Sequence, residues 1–262
     1  MPDFLEVCEQ AAREGGAVLQ SWVGRFRARE KGPRDLVTEA DLASQEAIRA
    51  RVLGAFPDHD FVSEEGEQEG RLDGRYCWVV DPLDGTLNYV HQIPHYAVSI
   101  ALLEHGKPIV GVIYDPVSDE CFRTRRGEGA WLNGSRITTS GVSRLSEAVI
   151  AASFAARVQF PAREIDQFVA AVQQSQGVRR TGSAALNLCY VASGRFDAFW
   201  ALSTKAWDVA AGVLLVEEAG GAVSSPTGTA FSLEEPHPVA CASRPLLDAF
   251  CAMLNSAHKL QH

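Results

Sequence analysis

The chain of 262 residues is acidic, with 33 Asp and Glu against 24 Lys and Arg and a formal net charge of -9. This balance argues against nucleic acid and anionic membranes as main partners, because both are bound by clustered basic side chains. The densest basic cluster, Arg123, Arg125 and Arg126, is too short for such a footprint. A hydrophobic fraction of 46% is typical of one large globular domain or two closely joined halves.

The six cysteines show no Cys-x-x-Cys pair and no regular spacing, and most have apolar neighbours. We expect buried free thiols in a reducing cytosol, not a disulfide framework or a zinc site. The N-terminal MPDFLEVCEQ is acidic where a targeting peptide would be basic, and no apolar run approaches the ~20 residues that span a bilayer. We therefore predict a soluble cytoplasmic protein.

Helices and strands follow one another in blocks. Apolar side chains at steps of three and four predict an amphipathic helix over residues 4–22. Thr38, with Asp41 three positions on, predicts the start of a second helix. The strands predicted after it are residues 76–80, a pair about the turn at 104–107, and an antiparallel meander through the turn at Asn133-Gly134.

A second half begins near Leu145. Its pattern predicts a strand in AVIAAS, a helix from Pro161 to about Gln176, a short strand and a helix in SAALNLCYVASG. A strand in FDAFWAL follows, then a helix in WDVAAGVLLVEE closed by Gly220 and Gly221, two short strands and a terminal helix from Pro245. We divide the chain into halves 1–144 and 145–262 that form one compact unit. The pattern predicts an α/β or α+β arrangement of layered sheets and helices.

The stretch WVVDPLDGTLNY places Asp81 and Asp84 three positions apart at the end of a predicted buried strand. A tight turn explains Asp81, Pro82 and Gly85, but not Asp84. An EF-hand loop fails, because the twelfth position counted from either aspartate is not Glu. Mg²⁺ takes carboxylate oxygens and keeps several waters, so a hard-cation site is a third interpretation. The stretch by itself leaves turn and metal site as alternatives.

Other acidic residues allow both a structural and a functional interpretation. Glu64 and Glu65 follow an apolar pair in FVSEEG, so they form either a solvated face or a ligand set at a strand end. Asp208 begins the helix in WDVAAG, where the helix N-terminus favours an acid and can also bind an anionic substrate. Asp41 is explained by the Thr38 cap.

Several kinds of site lack support. Glu217 and Glu218, inside the late helix, are interpreted as a solvated face. The seven histidines form no His-x-x-x-His, His-x-His or His/Cys cluster, which disfavours zinc. Gly-x-Ser-x-Gly, P-loop and Gly-x-Gly-x-x-Gly motifs are absent from the sequence, so serine-hydrolase, P-loop and dinucleotide chemistry are unsupported.

Taken together, these stretches resemble the inositol monophosphatase family. DPLDGTLNY and WDVAAGVLLVEEAGG match its two signatures, and DLVTEAD, SEEG and TGSAALNLCYVASG match further elements in the family's order, from about Lys31 to Gly221. The resemblance implies a five-layered αβαβα sandwich of the inositol monophosphatase and fructose-1,6-bisphosphatase type. It also implies a Mg²⁺-dependent phosphomonoesterase for a small phosphorylated substrate, usually a homodimer and often inhibited by lithium.

The same resemblance implies two or three Mg²⁺ ions and their ligands. These would be Glu64, Asp81 and the Leu83 carbonyl for the first ion, Asp81, Asp84 and Asp208 for the second, and Glu64 and Asp41 for a weaker third. The ions would offset the negative charges that Asp81 and Asp84 bring together, which the turn interpretation leaves unexplained.

Catalytic and substrate-binding roles are implied in the same way. The Gly85 and Thr86 N–H groups would hold the substrate phosphate. Glu64 and the Thr86 hydroxyl would orient or deprotonate the attacking water. Asp84 and Asp208 would also reach sugar hydroxyls, with the backbone of Ala184 facing the sugar.

The positions that face the substrate depart from the family pattern. Counting back from Trp207 places Ala201 where the animal inositol enzymes carry a Glu that bonds inositol hydroxyls. Lys205 replaces a His and would bring a cation to the leaving group, although a lysine solvated beside the helix start explains it equally well. Nucleotide 3′-phosphatases of the superfamily usually carry a Lys where this chain has Leu87, which ranks them lower.

Three hypotheses for the function follow. The first is an inositol-1-phosphate phosphatase, either specific for this ester or broad in specificity. The second is a same-fold phosphatase for histidinol phosphate, fructose 1,6-bisphosphate or NADP. The third, disfavoured by the intact set of Glu64, Asp81, Asp84, Thr86 and Asp208, is a non-catalytic metal-binding or regulatory protein on this fold.

Overall fold

The computed structural model describes residues 2–32, 35–65, 70–154 and 163–257, without the side chains of residues 28–36. Within these ranges lie seven α-helices and fourteen strands, the strands forming sheets of two, five and seven members. The helices are α1 (Phe4–Trp22), α2 (Glu39–Ala55), α3 (Thr86–Val90), α4 (Arg163–Gln174), α5 (Ala184–Ala192), α6 (Ala206–Glu218) and α7 (Arg244–Ser256).

The seven-stranded sheet is a meander with one parallel edge. Its spatial order is β3 (Asp60–Ser63), β4 (Tyr76–Asp84), β5 (Ala97–Glu104), β6 (Lys107–Asp115), β7 (Glu120–Arg125), β8 (Ala130–Leu132) and β9 (Ser135–Ile137). All neighbours are antiparallel except β3 and β4, which are parallel. β1 (Ala28–Gly32) and β2 (Asp35–Thr38) form a separate antiparallel pair ahead of it.

The five-stranded sheet comes from the second half of the chain. Its order is β11 (Gly177–Arg179), β10 (Val149–Ser153), β12 (Ala198–Ala201), β14 (Val239–Cys241) and β13 (Ala222–Ser224). β10 is parallel to both β11 and β12, and helices α4 and α5 make these connections. The carboxyl ends of these three strands therefore share one edge of the sheet, close to where α5 and α6 begin.

Side-chain alternation along β4 shows how the layers stack. Trp78 and Val80 pack in one apolar cluster with α1 and α2, while Cys77 and Val79 pack in another with α5 and α6. The inner cluster also includes the facing side of the five-stranded sheet, whose opposite side packs on α4 and α7. Helices, sheet, helices, sheet and helices thus form five layers, which confirms the predicted αβαβα sandwich.

The predicted elements are observed with small changes in their limits. The β4 strand extends past the predicted Val80 to Asp84, and α6 begins at Ala206. The predicted start of α4 at Pro161 lies outside the described residues, as does Gly66 of the SEEG element. The division at 144 remains a prediction. All six cysteines are buried and free, as expected, and in the described ranges no helix is both long and apolar enough to cross a membrane.

The interpretation of Glu217 and Glu218 as a solvated face holds for Glu217, which is 41% exposed, but Glu218 is partly buried and bound to backbone N–H groups. The Glu218 carboxylate accepts hydrogen bonds from the Gly127 N–H at 2.8 Å and the Gly129 N–H at 2.9 Å. Glu217 pairs with Arg126 at 3.5 Å. The two acids therefore fasten the β7–β8 turn to the end of α6, a contact between residues ~90 positions apart that helical periodicity does not reveal.

Glycine allows α6 to lie close to its neighbours in the middle layer. A Cβ at Gly111 on β6 would lie 3.0 Å from backbone atoms of Ala211. A Cβ at Gly212 would lie 2.5 Å from a side-chain carbon of Leu188 on α5. The Gly212 contact is closer than a Cβ atom tolerates and the Gly111 contact is tighter than most, so the spacing of α6 from α5 and from β6 depends on the missing methyl groups.

Gly212→Ala is therefore expected to destabilise the protein by roughly 1–3 kcal/mol through overpacking. Gly54→Ala, in α2, is the matched control, since a Cβ there would meet nothing within 4 Å. That change should stabilise by up to about 1 kcal/mol through helix propensity. Urea unfolding followed by circular dichroism measures both. Shifts of equal size and sign would show that the α5–α6 spacing does not depend on Gly212.

Candidate active site

The end of β4 carries the first two carboxylates. Pairing with β5 is regular as far as Asp81 and shifts between Asp81 and Asp84, so Pro82 and Leu83 form a bulge. The Leu83 N–H donates to the Asp81 carboxylate at 2.9 Å, and the Ser44 hydroxyl of α2 donates to the Pro82 carbonyl at 3.0 Å. A turn and a strand end are thus both present here. Asp81 is 2% exposed and Asp84 8%.

Gly85 lets the chain leave the bulge and begin α3. Its φ of +99° is in the left-handed region, where a side chain is strained. A Cβ here would also lie 3.1 Å from the His95 carbonyl oxygen. Thr86 follows as the first residue of α3, whose first N–H groups have no partner within the helix.

Asp84 points at the N-terminus of α5. Its carboxylate accepts hydrogen bonds from the Ser183 hydroxyl, from the Ala185 N–H at 2.8 Å and from the Ala184 N–H at 3.3 Å. Ser183 is also the N-cap of α5, through the Leu186 N–H at 3.1 Å. The Ala184 N–H is thus directed at Asp84, and the expectation that its backbone faces a sugar stays a prediction.

Glu64 and Asp208 approach the same carboxylates from two other elements. The Glu64 N–H donates to the Val80 carbonyl at 3.1 Å, which continues the β3–β4 pairing and sets Glu64 beside Asp81. Asp208 lies in the first turn of α6, where its carboxylate accepts from the Lys205 N–H at 2.8 Å. The Ser99 hydroxyl of β5 holds this turn by donating to the Trp207 carbonyl at 3.2 Å.

Asp41 and Thr86 meet at the N-termini of α2 and α3. Asp41 completes the predicted capping box by accepting from the Thr38 N–H at 2.9 Å. The Thr86 hydroxyl lies 3.1 Å from the Leu83 carbonyl oxygen and 3.4 Å from the second Asp41 oxygen. The sequence did not predict the contact of this hydroxyl with Asp41, and the joint action of Glu64 and Thr86 on a water stays a prediction.

Electrostatics confirm that the acids lie within range of one another. Burial raises the pKa of Asp81 well above its usual range, and Glu64, Asp84 and Asp208 raise it further. Burial and then the Asp84 charge raise the pKa of Asp208 to about 8. Burial raises the pKa of Asp84 to about 6 against its three hydrogen bonds. Like charges held away from water disfavour ionisation, and a cation among them would relieve that cost.

The pKa of Asp41 is also raised, to about 6, by burial and by the Glu65 charge, against the hydrogen bonds from Thr38. Glu65 is itself buried, at 6% exposed. Six carboxylates thus surround the bulge: Asp81 and Asp84 of β4, Asp41 of α2, Asp208 of α6, and Glu64 and Glu65, which follow β3. Glu64 acts on the charges of Asp81 and Asp208, and Glu65 on that of Asp41.

The donor set fits a hard divalent cation in chemistry and in charge. All the groups are carboxylates, with the Leu83 carbonyl added, and oxygen ligands of this kind are those that Mg²⁺ binds. Within the described residues, no three Asp, Glu, His or Cys side chains are placed closely enough to hold one metal ion together. The hydrogen bonds of Asp84 to α5 and of Asp208 to Lys205 hold these two carboxylates towards helix N-termini.

The candidate specificity residues flank this cluster. Lys205 is the N-cap residue of α6 and its side chain is exposed, so it can reach a ligand or remain solvated. Ala201 ends β12 and is fully buried. Its methyl side chain contributes no polar group to the site.

Sequence reasoning missed the neutral side chains that fix the acids in place. Ser44, Ser99, Ser183 and Asn88 each form a hydrogen bond between elements far apart in the chain. For Asn88 and Ser183 the sequence held a possible signal, because these residues lie within the motifs DGTLNY and TGSAAL. Ser44 and Ser99 gave none, because their partners are backbone carbonyls of other segments.

Comparison with known proteins agrees with this geometry. The model of the inositol monophosphatase family matches residues 2–259. The Nus factor SuhB of Pseudomonas aeruginosa is 42% identical over 248 residues, which are 92% of each chain. The inositol-1-monophosphatase of Rhizobium meliloti is 40% identical over 223 residues, covering 83% of this chain and 84% of that protein.

A solved structure shows the same fold. The inositol monophosphatase from Anabaena superposes with a TM-score of 0.85 and 38% identity, over 97% of this chain and 95% of that one. The family match spans almost the whole chain, and the relatives are aligned over most of their own length. On this evidence the chain belongs to the inositol monophosphatase family, a family of generally Mg²⁺-dependent phosphatases.

Proposed function

We propose that the protein is a Mg²⁺-dependent phosphomonoesterase for a small phosphorylated polyol, with inositol-1-phosphate as the leading substrate. The observation that carries the proposal is the group of Glu64, Asp81, Asp84 and Asp208, whose charges meet at one end of β4. Buried carboxylates that repel one another are costly for a fold without a function for them. The relative named inositol-1-monophosphatase supports the same reaction class.

Glu64, Asp81 and the Leu83 carbonyl would hold one Mg²⁺, Asp81, Asp84 and Asp208 a second, and Glu64 and Asp41 a third. Bound Mg²⁺ supplies charge neutralisation at the phosphate and leaving oxygen and lowers the pKa of the water that attacks phosphorus. The protein contributes the orientation of these acids, through the hydrogen bonds of Asp84 with α5 and of Asp208 with Lys205.

The substrate phosphate would be held at the start of α3. The N–H groups of Gly85 and Thr86 directly follow Asp84 in the chain, Gly85 has no side chain, and no side chain caps the start of α3. Backbone N–H groups at such a turn attract anions. The phosphate would therefore lie between these donors and the carboxylate cluster.

Thr86 and Asp41 would handle the proton of the attacking water. The Thr86 hydroxyl has the Leu83 carbonyl at 3.1 Å and the Asp41 oxygen at 3.4 Å as acceptors. By turning its proton towards Asp41, it would accept a hydrogen bond from the water and pass a proton to that carboxylate. Because the pKa of Asp41 is raised to about 6, its carboxylate is a base close to neutral pH. Glu64, on the other side of Asp81, is the second group that can orient this water.

A second substrate class is favoured by the leaving-group side of the site. Buried Ala201 offers no hydrogen-bonding partner for a hydroxyl, and the exposed side chain of Lys205 begins next to the backbone N–H that binds Asp208. These two positions suit a phosphate ester with a further anionic group, such as fructose 1,6-bisphosphate or NADP, and leave histidinol phosphate as an alternative.

The function is tested by phosphate release from these three esters and from inositol-1-phosphate, with and without Mg²⁺. We expect turnover that requires Mg²⁺ and falls by about 10²-fold or more in Asp84→Asn, since that change removes a charged ligand from the reacting centre. Lys107→Gln, an exposed residue on the β5–β6 turn, is the control and should match the wild type. The ratio of kcat/KM values then identifies the preferred substrate.

If the folded protein binds Mg²⁺ but releases phosphate from none of the esters, the proposed hydrolysis is contradicted. A non-catalytic role would then gain support. Relatives with the name Nus factor SuhB would be the starting point for its study.

The role of the Thr86 hydroxyl predicts different results for two variants. Thr86→Val keeps the shape but loses the hydroxyl, and kcat should fall by about 10²–10⁴-fold, the usual share of a proton-transfer group. Thr86→Ser keeps the hydroxyl and should retain most of the activity. Equal activity in both variants would exclude proton transfer through this residue.

The raised pKa values predict how stability depends on pH. The native Asp208 and Asp84 have pKa values of about 8 and about 6, against about 4 in the unfolded chain. Their protonated forms favour the native state, so that stability is fully present below the unfolded pKa and is lost as pH rises through the native values. In EDTA the thermal midpoint should therefore rise on acidification from about pH 8.5 to about pH 6.

Mg²⁺ should counteract the loss of stability at high pH, because it binds the ionised carboxylates. The increase in thermal midpoint on adding Mg²⁺ should be larger near pH 8 than near pH 6. At a free Mg²⁺ concentration of 100 times the Kd, binding adds about 2.7 kcal/mol to the free energy of unfolding. Differential scanning fluorimetry measures it, with Asp208→Asn expected to flatten the pH dependence in EDTA. A midpoint that Mg²⁺ leaves unchanged at both pH values would contradict the metal site.

A further inference from the structure

The side-chain amide of Asn88 joins the segment after α3 to the segment before α5. The residue lies in α3, two positions after Thr86, and is 7% exposed. Its amide nitrogen donates to the His95 carbonyl at 2.7 Å and to the Thr181 carbonyl at 2.9 Å. The first bond closes the segment that follows α3, and the second crosses to the segment that leads into α5.

The crossing bond ends immediately before the groups that hold Asp84. Thr181 is followed by Gly182 and Ser183, and Ser183 donates its hydroxyl to the Asp84 carboxylate. Thr181 is also fastened to α5, because its hydroxyl donates to the Asn187 side-chain oxygen at 2.8 Å. Fixing the Thr181 carbonyl therefore fixes the start of α5.

Gly182 provides the room for this contact. Its φ is +94°, and a Cβ there would lie 2.8 Å from the Asn88 amide nitrogen and 3.0 Å from its oxygen. The backbone at Gly182 thus packs directly on the Asn88 amide. No other residue type combines this conformation with this approach without displacing the amide.

These links form a closed ring. The chain runs from Asp84 to Asn88, the amide hydrogen bond crosses to Thr181, the chain continues to Ser183, and the Ser183 hydroxyl returns to Asp84. Two short covalent segments closed by two hydrogen bonds leave the Asp84 carboxylate little freedom relative to Thr86. Removing either hydrogen bond opens the ring.

We propose that Asn88 is a positioning residue that holds the N-terminus of α5 against Asp84 and so sets the Asp84 carboxylate relative to Thr86 and to a bound cation. The effect on turnover rests on the proposed phosphatase function. The effect on cation binding does not, since it depends only on the orientation of Asp84.

The test compares Asn88→Asp and Asn88→Ala with Gln167→Met. Asn88→Asp keeps the shape of the side chain but, when ionised, faces two carbonyl oxygens with no proton to donate. Gln167 is the matched control, because its buried amide likewise donates to a carbonyl of another element, that of Leu254 at 3.0 Å, in the outer α4–α7 layer. All three variants lose a buried amide–carbonyl contact between elements.

Two readouts separate positioning from general stabilisation. The first is the Mg²⁺ concentration that gives half of the maximal thermal stabilisation, which should rise by about 10-fold in both Asn88 variants, as expected when one ligand is misaligned. The second is the split between kcat and KM, with kcat falling by about 10²-fold and KM changing less. Gln167→Met should lower the thermal midpoint and leave both readouts at the wild-type values.

Asn88→Ser and Gly182→Ala keep the test decisive if the first variants fail to fold. Serine retains a shorter donor and should give an intermediate Mg²⁺ midpoint. Gly182→Ala displaces the amide from the opposite side, so its effect on the Mg²⁺ midpoint should not add to that of Asn88→Ser in the double variant.

The positioning role would be overturned if the Asn88 variants kept the wild-type Mg²⁺ midpoint and kcat and only their thermal midpoint fell, as in Gln167→Met. Strictly additive effects of Asn88→Ser and Gly182→Ala would overturn it as well. If the wild-type protein hydrolyses none of the esters, the proposed function fails, and the Mg²⁺ midpoints alone decide whether Asn88 positions Asp84.

Discussion

Repulsion among buried carboxylates is the constraint on which this structure depends. Burial raises the pKa values of Asp81, Asp84 and Asp208, and neighbouring charges, including that of Glu64, raise those of Asp81 and Asp208 further. Each acid comes from a different element or from opposite ends of the β4 bulge. An apolar core cannot hold such groups by packing. The fold holds them with hydrogen bonds from backbone N–H groups at helix starts, where the helix dipole also favours negative charge.

The five-layered sandwich makes this possible because α5 and α6 lie between the two sheets. Their N-termini reach the end of β4, while α2 approaches it from the outer layer and supplies Asp41. Close packing at Gly111 and Gly212 brings α6 near both β6 and α5. A shift of this middle layer would move Asp208 and the Asp84 partners together, so the site is coupled to the packing of the core.

Structural and functional explanations of the acids turn out to be compatible. Asp41 and Asp208 cap helices, as their positions in the sequence suggested, and still have raised pKa values. Asp81 lies in a turn-like bulge and also beside three other carboxylates. A cap or a turn uses one or two oxygen lone pairs of a carboxylate, and the remaining lone pairs can bind a cation.

The sequence by itself determined the order of elements, the layered class and the acids of the cluster, because periodicity, capping residues and two long motifs are local in the chain. Only the tertiary structure decided that the Thr86 hydroxyl faces Asp41, that Glu217 and Glu218 fasten the β7–β8 turn, and that Asn88 reaches Thr181. These contacts join residues ~45 to ~90 positions apart, and no local pattern encodes which distant backbone groups a side chain will meet. They depend on how the two sheets and the helices between them are packed.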